Sequence, residues 1–177
     1  MWDIDRAKKS SDIFNLVIPT LEKHFAGKIY STESEHSKIA EILDRGCAID
    51  GLVVSNMIFG IAHRVNYKSY ETFTIRIKDV HGPTELCHIT RPGIKPRYHV
   101  QTIVETDMPV KLAIVKTEVL VEAINRQLGR RFTNQLSFDE FYSIKWQTLI
   151  DNGYDVTIID LYKEWLLWKC QMHSVNS

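Results

Sequence analysis

Apolar residues recur at helical spacing near the start of the chain. The pattern predicts a helix that Ser11 or Asp12 caps and that ends at Gly27, with an apolar face of Ile13, Leu16, Val17, Leu21 and Phe25. Pro19 falls inside this pattern and predicts either a kink or a late start of the helix.

The middle of the chain has short apolar runs separated by turn residues, which is typical of a β-meander. The clearest run is 72–78, where polar and apolar side chains alternate at the period of a half-buried strand. Proline, glycine and basic residues predict a loop at 91–97. The other elements predicted here are strands at 27–31, 48–54, 58–65, 98–104 and 110–115 and a weak helical turn at 37–44.

The last third of the chain is predicted to be mainly helical. Thr117 caps an apolar helix over 118–128. Ser137 and Glu140 have the spacing of a capping box, which predicts another helix. The elements predicted after residue 137 are that helix, to about 150, a strand at 154–159 and a helix from 160.

The order of these elements indicates an α+β fold or a mixed α/β sheet. No repeat, low-complexity segment or Gly/Ser linker divides the 177 residues, and 44% of them are hydrophobic, enough for a sizeable core. We therefore expect a single domain over 1–177, with a central mixed sheet flanked by helices.

A net charge of zero conceals a positive middle segment. The chain has 22 basic and 22 acidic side chains, which excludes a globally basic nucleic-acid binder. Residues 61–100 nevertheless hold seven basic and three acidic side chains, a net charge of +4, and four of the seven histidines. This segment is either an ordinary solvated face or a positive surface that meets an anionic partner.

The cysteines and the N-terminus favour a reducing compartment. Three cysteines at wide, irregular spacing form neither a disulfide framework nor a zinc motif. The N-terminus lacks the apolar stretch of a signal peptide, and no run approaches the ~18 apolar residues of a membrane span. We expect a cytoplasmic protein without a membrane partner.

Asp50 is the most informative candidate for chemistry. It lies in a predicted apolar strand, where a carboxylate is desolvated unless it is paired or binds a metal. The alternative is an exposed position at the start of the strand, which Gly51 permits.

With Asp50, the stretch 46–78 resembles the core of restriction-endonuclease-like, PD-(D/E)xK-type phosphodiesterases. That family has an Asp on one strand of a hairpin and an acidic residue, one intervening residue and a Lys on the paired strand. The resemblance implies a restriction-endonuclease-like fold and cleavage of DNA by a Mg²⁺ or Mn²⁺ ion that polarises the phosphate and activates water. Asp50 matches the first carboxylate and Arg64 the Lys position, but Ala62 occupies the position of the second carboxylate.

Two interpretations of the Ala62 departure stay open. In the first, another acid completes a site with Asp50; Glu71 is the predicted catalytic and metal-binding residue, and Glu85, Glu35 and Glu41 are alternatives. In the second, the fold is catalytically inactive and binds a nucleic acid or a protein. Arg64 suits either, because its guanidinium clamps a phosphate through two oxygens but does not act as a base.

The remaining candidates are contacts to partners. Under the resemblance, DNA or another nucleic acid meets the positive segment through Arg76, Arg91, Lys95 and Arg97. Tyr162, Trp165 and Trp168 lie on one side of the predicted last helix and suit a core, a homo-oligomer or a protein partner. His63 is predicted to point away from Arg64 as a satisfied histidine, and Arg130 and Arg131 to follow a helix C-terminus, where cations are favoured.

Overall fold

A computed structural model describes residues 4–32, 37–67, 69–79, 83–135 and 138–162. Its helices are α1 (Ile4–Phe25), α2 (Lys38–Cys47), α3 (Glu85–Thr90), α4 (Thr117–Asn125) and α5 (Trp146–Asp151). Its strands are β1 (Lys28–Ser31), β2 (Gly51–Val54), β3 (Ile58–Asn66), β4 (Thr72–Lys78), β5 (Pro96–Glu105), β6 (Met108–Lys116), β7 (Arg130–Thr133), β8 (Glu140–Lys145) and β9 (Val156–Asp160).

The strands form two sheets rather than one meander. Sheet A has the order β1-β2-β3-β5-β6-β9 and is mixed, because β3 and β5 run parallel and the other pairs antiparallel. Sheet B has the order β4-β8-β7 and is antiparallel. The predicted β-meander was wrong at β4, because β4 pairs with β8 in sheet B and the chain returns through α3 to place β5 beside β3.

Each face of sheet A buries its own hydrophobic cluster. On one face, α1 contributes Phe14, Val17 and Leu21 to a cluster with apolar residues of β2, β3, β5 and β6. The other face packs against α3, α4, α5 and the inner side of sheet B, around the fully buried Trp146. The expectation of an α+β fold with a mixed sheet flanked by helices is therefore confirmed.

Two predictions for the last third of the chain differ from the structure. The helix predicted from Ser137 to 150 was wrong, because 140–145 is strand β8 and helix α5 begins only at Trp146. The stretch contains Phe141, Tyr142 and Ile144, residue types that favour strands, and its pairing with β4 and β7 overrides the capping-box spacing. Arg130 and Arg131 lie in strand β7 and not at a helix C-terminus.

Helix α1 differs from its prediction only in its start. It begins at Ile4, before the predicted cap residues, and Pro19 lies inside the helix. Pro19 was the reason for predicting a kink or a late start. The Ser37 side chain caps α2 by accepting a hydrogen bond from the Ala40 backbone N–H at 3.1 Å.

Gly129, between α4 and β7, allows the backbone at this position to approach β8 closely. A Cβ added at Gly129 would lie 2.3 Å from the Ser143 carbonyl oxygen and 2.6 Å from the Tyr142 ring. We expect Gly129→Ala to lower the free energy of unfolding by about 1–3 kcal/mol through overpacking, measured by urea denaturation.

Gly46→Ala is the control for this substitution. Its added Cβ would meet nothing closer than 3.8 Å, and Gly46 lies in helix α2, so alanine is expected to stabilise by about 0.5–1 kcal/mol. Equal stability changes in the two variants would contradict the close approach at Gly129.

Candidate functional site

Asp50 lies where β2 begins, immediately before Gly51. Its backbone N–H donates to the carbonyl oxygen of Ile61 at 2.9 Å, and its carboxylate accepts a hydrogen bond from the backbone N–H of His63. Within the described residues β2 pairs with β3 only as far as Ile61, so the Asp50 side chain takes the place of the next strand residue. Asp50 thus has a structural task, which is to satisfy a backbone donor at the open edge of β3.

Arg64 and Glu85 form an ion pair between β3 and α3. The Arg64 Nε donates to Glu85 Oε1 at 3.2 Å, and a second guanidinium nitrogen donates to Glu85 Oε2. The Glu85 side chain is only 7% exposed and that of Arg64 is 30% exposed. Glu85 Oε2 also accepts from the backbone N–H of Arg76 at 3.1 Å, so this one carboxylate joins α3 to both β3 and β4.

The polar cluster continues from Glu85 to the start of α4. His99 Nε2 lies 3.3 Å from Glu85 Oε1, and its Nδ1 lies 3.0 Å from the Thr117 hydroxyl. Thr117 donates to the carbonyl oxygen of Pro96 at 2.6 Å. Glu85, His99 and Thr117 are all buried, so the row Arg64–Glu85–His99–Thr117 is an internal polar chain.

The pKa values of the ion pair move in opposite directions. Burial is the largest influence on the pKa of Glu85 and raises it, but the charge and hydrogen bonds of Arg64 and His99 outweigh burial and hold it well below its usual range. Burial likewise lowers the pKa of Arg64, and the charge and hydrogen bonds of Glu85, with a smaller contribution from Asp50, raise it above its ordinary value. Both groups are therefore ionised.

The two faces of β3 have different roles. His63 and Arg64 point to opposite sides, as predicted, and the His63 ring stacks on Phe14 at 4.7 Å and lies with its Nε2 2.9 Å from the Thr102 hydroxyl. Burial lowers the pKa of His63 to about 3. Ala62 is buried and, two residues from Arg64, lies on the same face as the guanidinium.

Glu71 does not lie beside Asp50 and Arg64. Its Oε1 lies 2.6 Å from the Lys111 Nζ, on strand β6, and β5 separates β6 from β3 in sheet A. The structure therefore brings together Asp50, Arg64 and the alternative acid Glu85, and not Glu71. Glu41 pairs with Arg45 along α2, and Glu35 lies outside the described residues.

The carboxylates beside Arg64 do not form a binding site that fits a divalent cation. Glu85 gives its oxygens to Arg64, His99 and the Arg76 backbone, while Asp50 caps the edge of β3. In the described part of the chain, no three His, Cys, Asp or Glu side chains form a group that could hold a metal ion. The positive charge beside these carboxylates is the guanidinium of Arg64.

The predicted phosphate contacts divide into two places. Arg76 lies in sheet B, paired with Asp79 at 2.9 Å and 3.9 Å from Asp139. The other three residues lie at or near the start of β5 and are exposed: Arg91, Lys95 and Arg97. Among the described residues, none of these three has a carboxylate within ion-pairing distance.

A groove opens beside these exposed cations. Its volume is about 400 Å³, and its lining includes Lys95, Arg97, Thr117 and Glu118. The Arg97 guanidinium lies over the rings of Phe59 and Tyr98, at 5.6 and 5.8 Å from their centroids. Thr117 joins the groove to the buried polar chain.

Comparison of the chain with protein-family models, curated proteins and solved structures gave no match in any of the three. Among the described residues, no helix is long and apolar enough to cross a membrane. Trp165 and Trp168 lie outside those residues, and Tyr162 is exposed.

The sequence does not reveal the His99–Thr117 part of the cluster. The sequence contains one signal for these polar positions. His99 and Gln101 alternate with Tyr98 and Val100 in strand β5, most of which is buried. Gln101 donates from its side chain to the Arg64 carbonyl oxygen at 3.2 Å, so both polar side chains serve the Arg64 side of sheet A.

Proposed function

We propose that this protein binds nucleic acid and that its restriction-endonuclease-like hairpin is a structural core rather than a centre of metal-dependent cleavage. The observation that carries the proposal is the contrast between a basic side chain that is paired inside the protein and basic side chains that are exposed. Arg64 is neutralised internally by Glu85, whereas Lys95 and Arg97 are exposed and line an open groove. Arg91 is also exposed, but its guanidinium donates a hydrogen bond to the Gly46 carbonyl oxygen and it does not line the groove.

Phosphate recognition needs cations that are accessible and not already paired. Lys95 and Arg97 line the groove together with Thr90 and Thr117. Glu118 is the acidic residue in the described lining, and it lies 4.0 Å from Lys116. This combination supports a salt-dependent contact with a phosphate backbone, with little sequence preference.

The test is fluorescence anisotropy with labelled oligonucleotides at 50 and 200 mM salt. We expect binding that weakens with salt, and we expect the double variant Lys95→Gln/Arg97→Gln to flatten the slope of log K against log salt by about 2, near one unit per lost contact. The control is Lys9→Gln/Lys28→Gln, which loses the same charge from residues paired with Asp107 and Glu22. Equal loss of affinity in both double variants would contradict a binding surface at the groove.

Metal-dependent DNA cleavage is the rival outcome. Plasmid DNA is incubated with Mg²⁺ or Mn²⁺ and with wild type, Asp50→Ala or Arg64→Ala. Nicking by wild type that both substitutions abolish, while circular dichroism shows folded variants, would establish a nuclease and overturn the binding-only proposal. We expect no difference among the three proteins.

A further inference from the structure

The outer side of sheet B carries a row of stacked side chains. Arg76 on β4, Phe141 on β8 and Phe132 on β7 are direct neighbours in register across the three strands. The Arg76 guanidinium lies 5.6 Å from the Phe141 ring centroid. The rings of Phe141 and Phe132 are 5.3 Å apart and nearly parallel, with an interplanar angle of 15°.

This row ends in an exposed aromatic ring. The opposite side of β4 and β8 is buried in the core through Phe73, Ile75, Tyr142 and Ile144. Phe132, in contrast, is 42% exposed, and every residue of β7 is exposed. Since β7 is the last strand of sheet B, the stack Arg76–Phe141–Phe132 stops at the sheet edge within the described residues.

The charges around the row are complementary to a phosphate backbone. Arg130 and Lys145 lie on the same side of the sheet as Phe132 and Phe141, because they alternate with the inward residues of their strands. Both are exposed, as is Arg131. In the described part of the chain, no carboxylate lies within ion-pairing distance of these three cations. The nearby acids already have partners: Asp79 and Asp139 with Arg76, and Glu140 with Lys78.

We propose that the outer side of sheet B binds single-stranded nucleic acid, with a base continuing the stack on Phe132 and the backbone meeting Arg130 and Lys145. This inference rests on the proposed nucleic-acid binding and names its ligand class. An unpaired base offers a free π-face to an aromatic ring, whereas the bases of a duplex are already stacked on each other. An open three-stranded sheet with exposed aromatic and basic side chains suits the single strand.

The test compares a labelled single-stranded 12-mer, as DNA and as RNA, with a duplex of the same sequence. We expect tighter binding of the single strands than of the duplex. Phe132→Ala is expected to weaken single-strand binding by about 5-fold or more, the lower limit for loss of one stacked base, and to leave duplex binding within about 2-fold. Phe132→Tyr, which keeps a stacking ring, is expected to restore the affinity.

Tyr30→Ala is the matched control. Tyr30 is also an exposed aromatic residue on an edge strand, β1 of sheet A, and is 55% exposed. We expect this variant to bind as wild type does, and circular dichroism melting checks that Phe132→Ala is folded.

The outcomes separate the two proposals. Failure of wild type to bind any oligonucleotide would overturn both. Binding to single strands and duplex alike, with no effect of Phe132→Ala, would overturn the sheet B site and leave the groove proposal standing. A loss in Phe132→Ala that Tyr30→Ala reproduces would also overturn the sheet B site.

Discussion

Glu85→Gln is expected to lower the free energy of unfolding by about 3 kcal/mol. The substitution keeps the size of the side chain but leaves the guanidinium of Arg64 without its counter-charge between β3 and α3. Removing one partner of a buried ion pair costs about 3–5 kcal/mol, and we expect the lower value because the Arg64 side chain is 30% exposed. Urea denaturation at pH 7 measures the change.

Glu122→Gln is the control for the loss of a carboxylate. Glu122 pairs with Arg126 on the surface of α4, with both side chains about half exposed. That substitution is expected to change stability by no more than about 0.5–1 kcal/mol. The hypothesis of a buried structural pair fails if the two variants lose the same stability.

Adding Arg64→Met to Glu85→Gln tests the mechanism of the loss. Methionine removes the uncompensated charge and fills similar space with an apolar chain. We expect the double variant to be more stable than Glu85→Gln alone, and a simple sum of the two single effects would argue against direct pairing.

Stability is expected to fall steeply as the pH is lowered from 6.5 because of His63. Burial lowers the pKa of His63 to about 3 from 6.5 in an unfolded chain, so in this pH window the unfolded state binds a proton that the folded state does not. Each pH unit then costs about 1.4 kcal/mol, or about 2–3 kcal/mol between pH 6.5 and 4.5.

Carboxylates contribute to the loss only at lower pH. The pKa of Glu85 is held below its usual range, so its stabilising effect is present above about pH 4.5, the value for an unfolded Glu, and is lost as the pH falls further. The change in the free energy of unfolding between pH 6.5 and 4.5 therefore comes mainly from histidines.

Denaturant titrations of wild type and His63→Gln at pH 7.5, 6.0, 5.0 and 4.5 measure this slope. We expect the slope to become much shallower in His63→Gln, whatever its stability at pH 7.5. His24 is the comparison, because burial also lowers its pKa although its side chain is exposed. His24→Gln is expected to keep most of the wild-type slope; an unchanged slope in His63→Gln would contradict the assignment.

The positions of strands β3 to β6 were largely predictable because their signals are local. The stretch 72–78 alternates cleanly, and the apolar runs that form β3, β5 and β6 are bounded by turn residues, so their positions agree to within a few residues. Their pairing was not predictable in the same way. Nothing local to β4 indicates that it pairs with β8 rather than β3, since pairing depends on apolar faces that are distant in sequence.

The candidate site was predicted in part. Asp50 and Arg64 are close enough for the carboxylate to affect the guanidinium, and Glu85 was among the acids considered. The choice of Glu71 rested on its place after β3, whereas its carboxylate pairs with Lys111. His99 and Thr117 join the cluster through the parallel pairing of β3 with β5, a contact that no short motif encodes.

The chain passes between its two sheets more than once, and this has a consequence for how it folds. Sheet B is assembled from segments on either side of β5 and β6, and the ion pair of Lys78 with Glu140 joins residues 62 positions apart. Neither sheet can be completed from one continuous stretch of chain. Because distant contacts slow folding, we expect refolding on the slow side for a chain of this size, and we expect a fragment ending after α4 to leave β4 without its partner and fail to fold cooperatively.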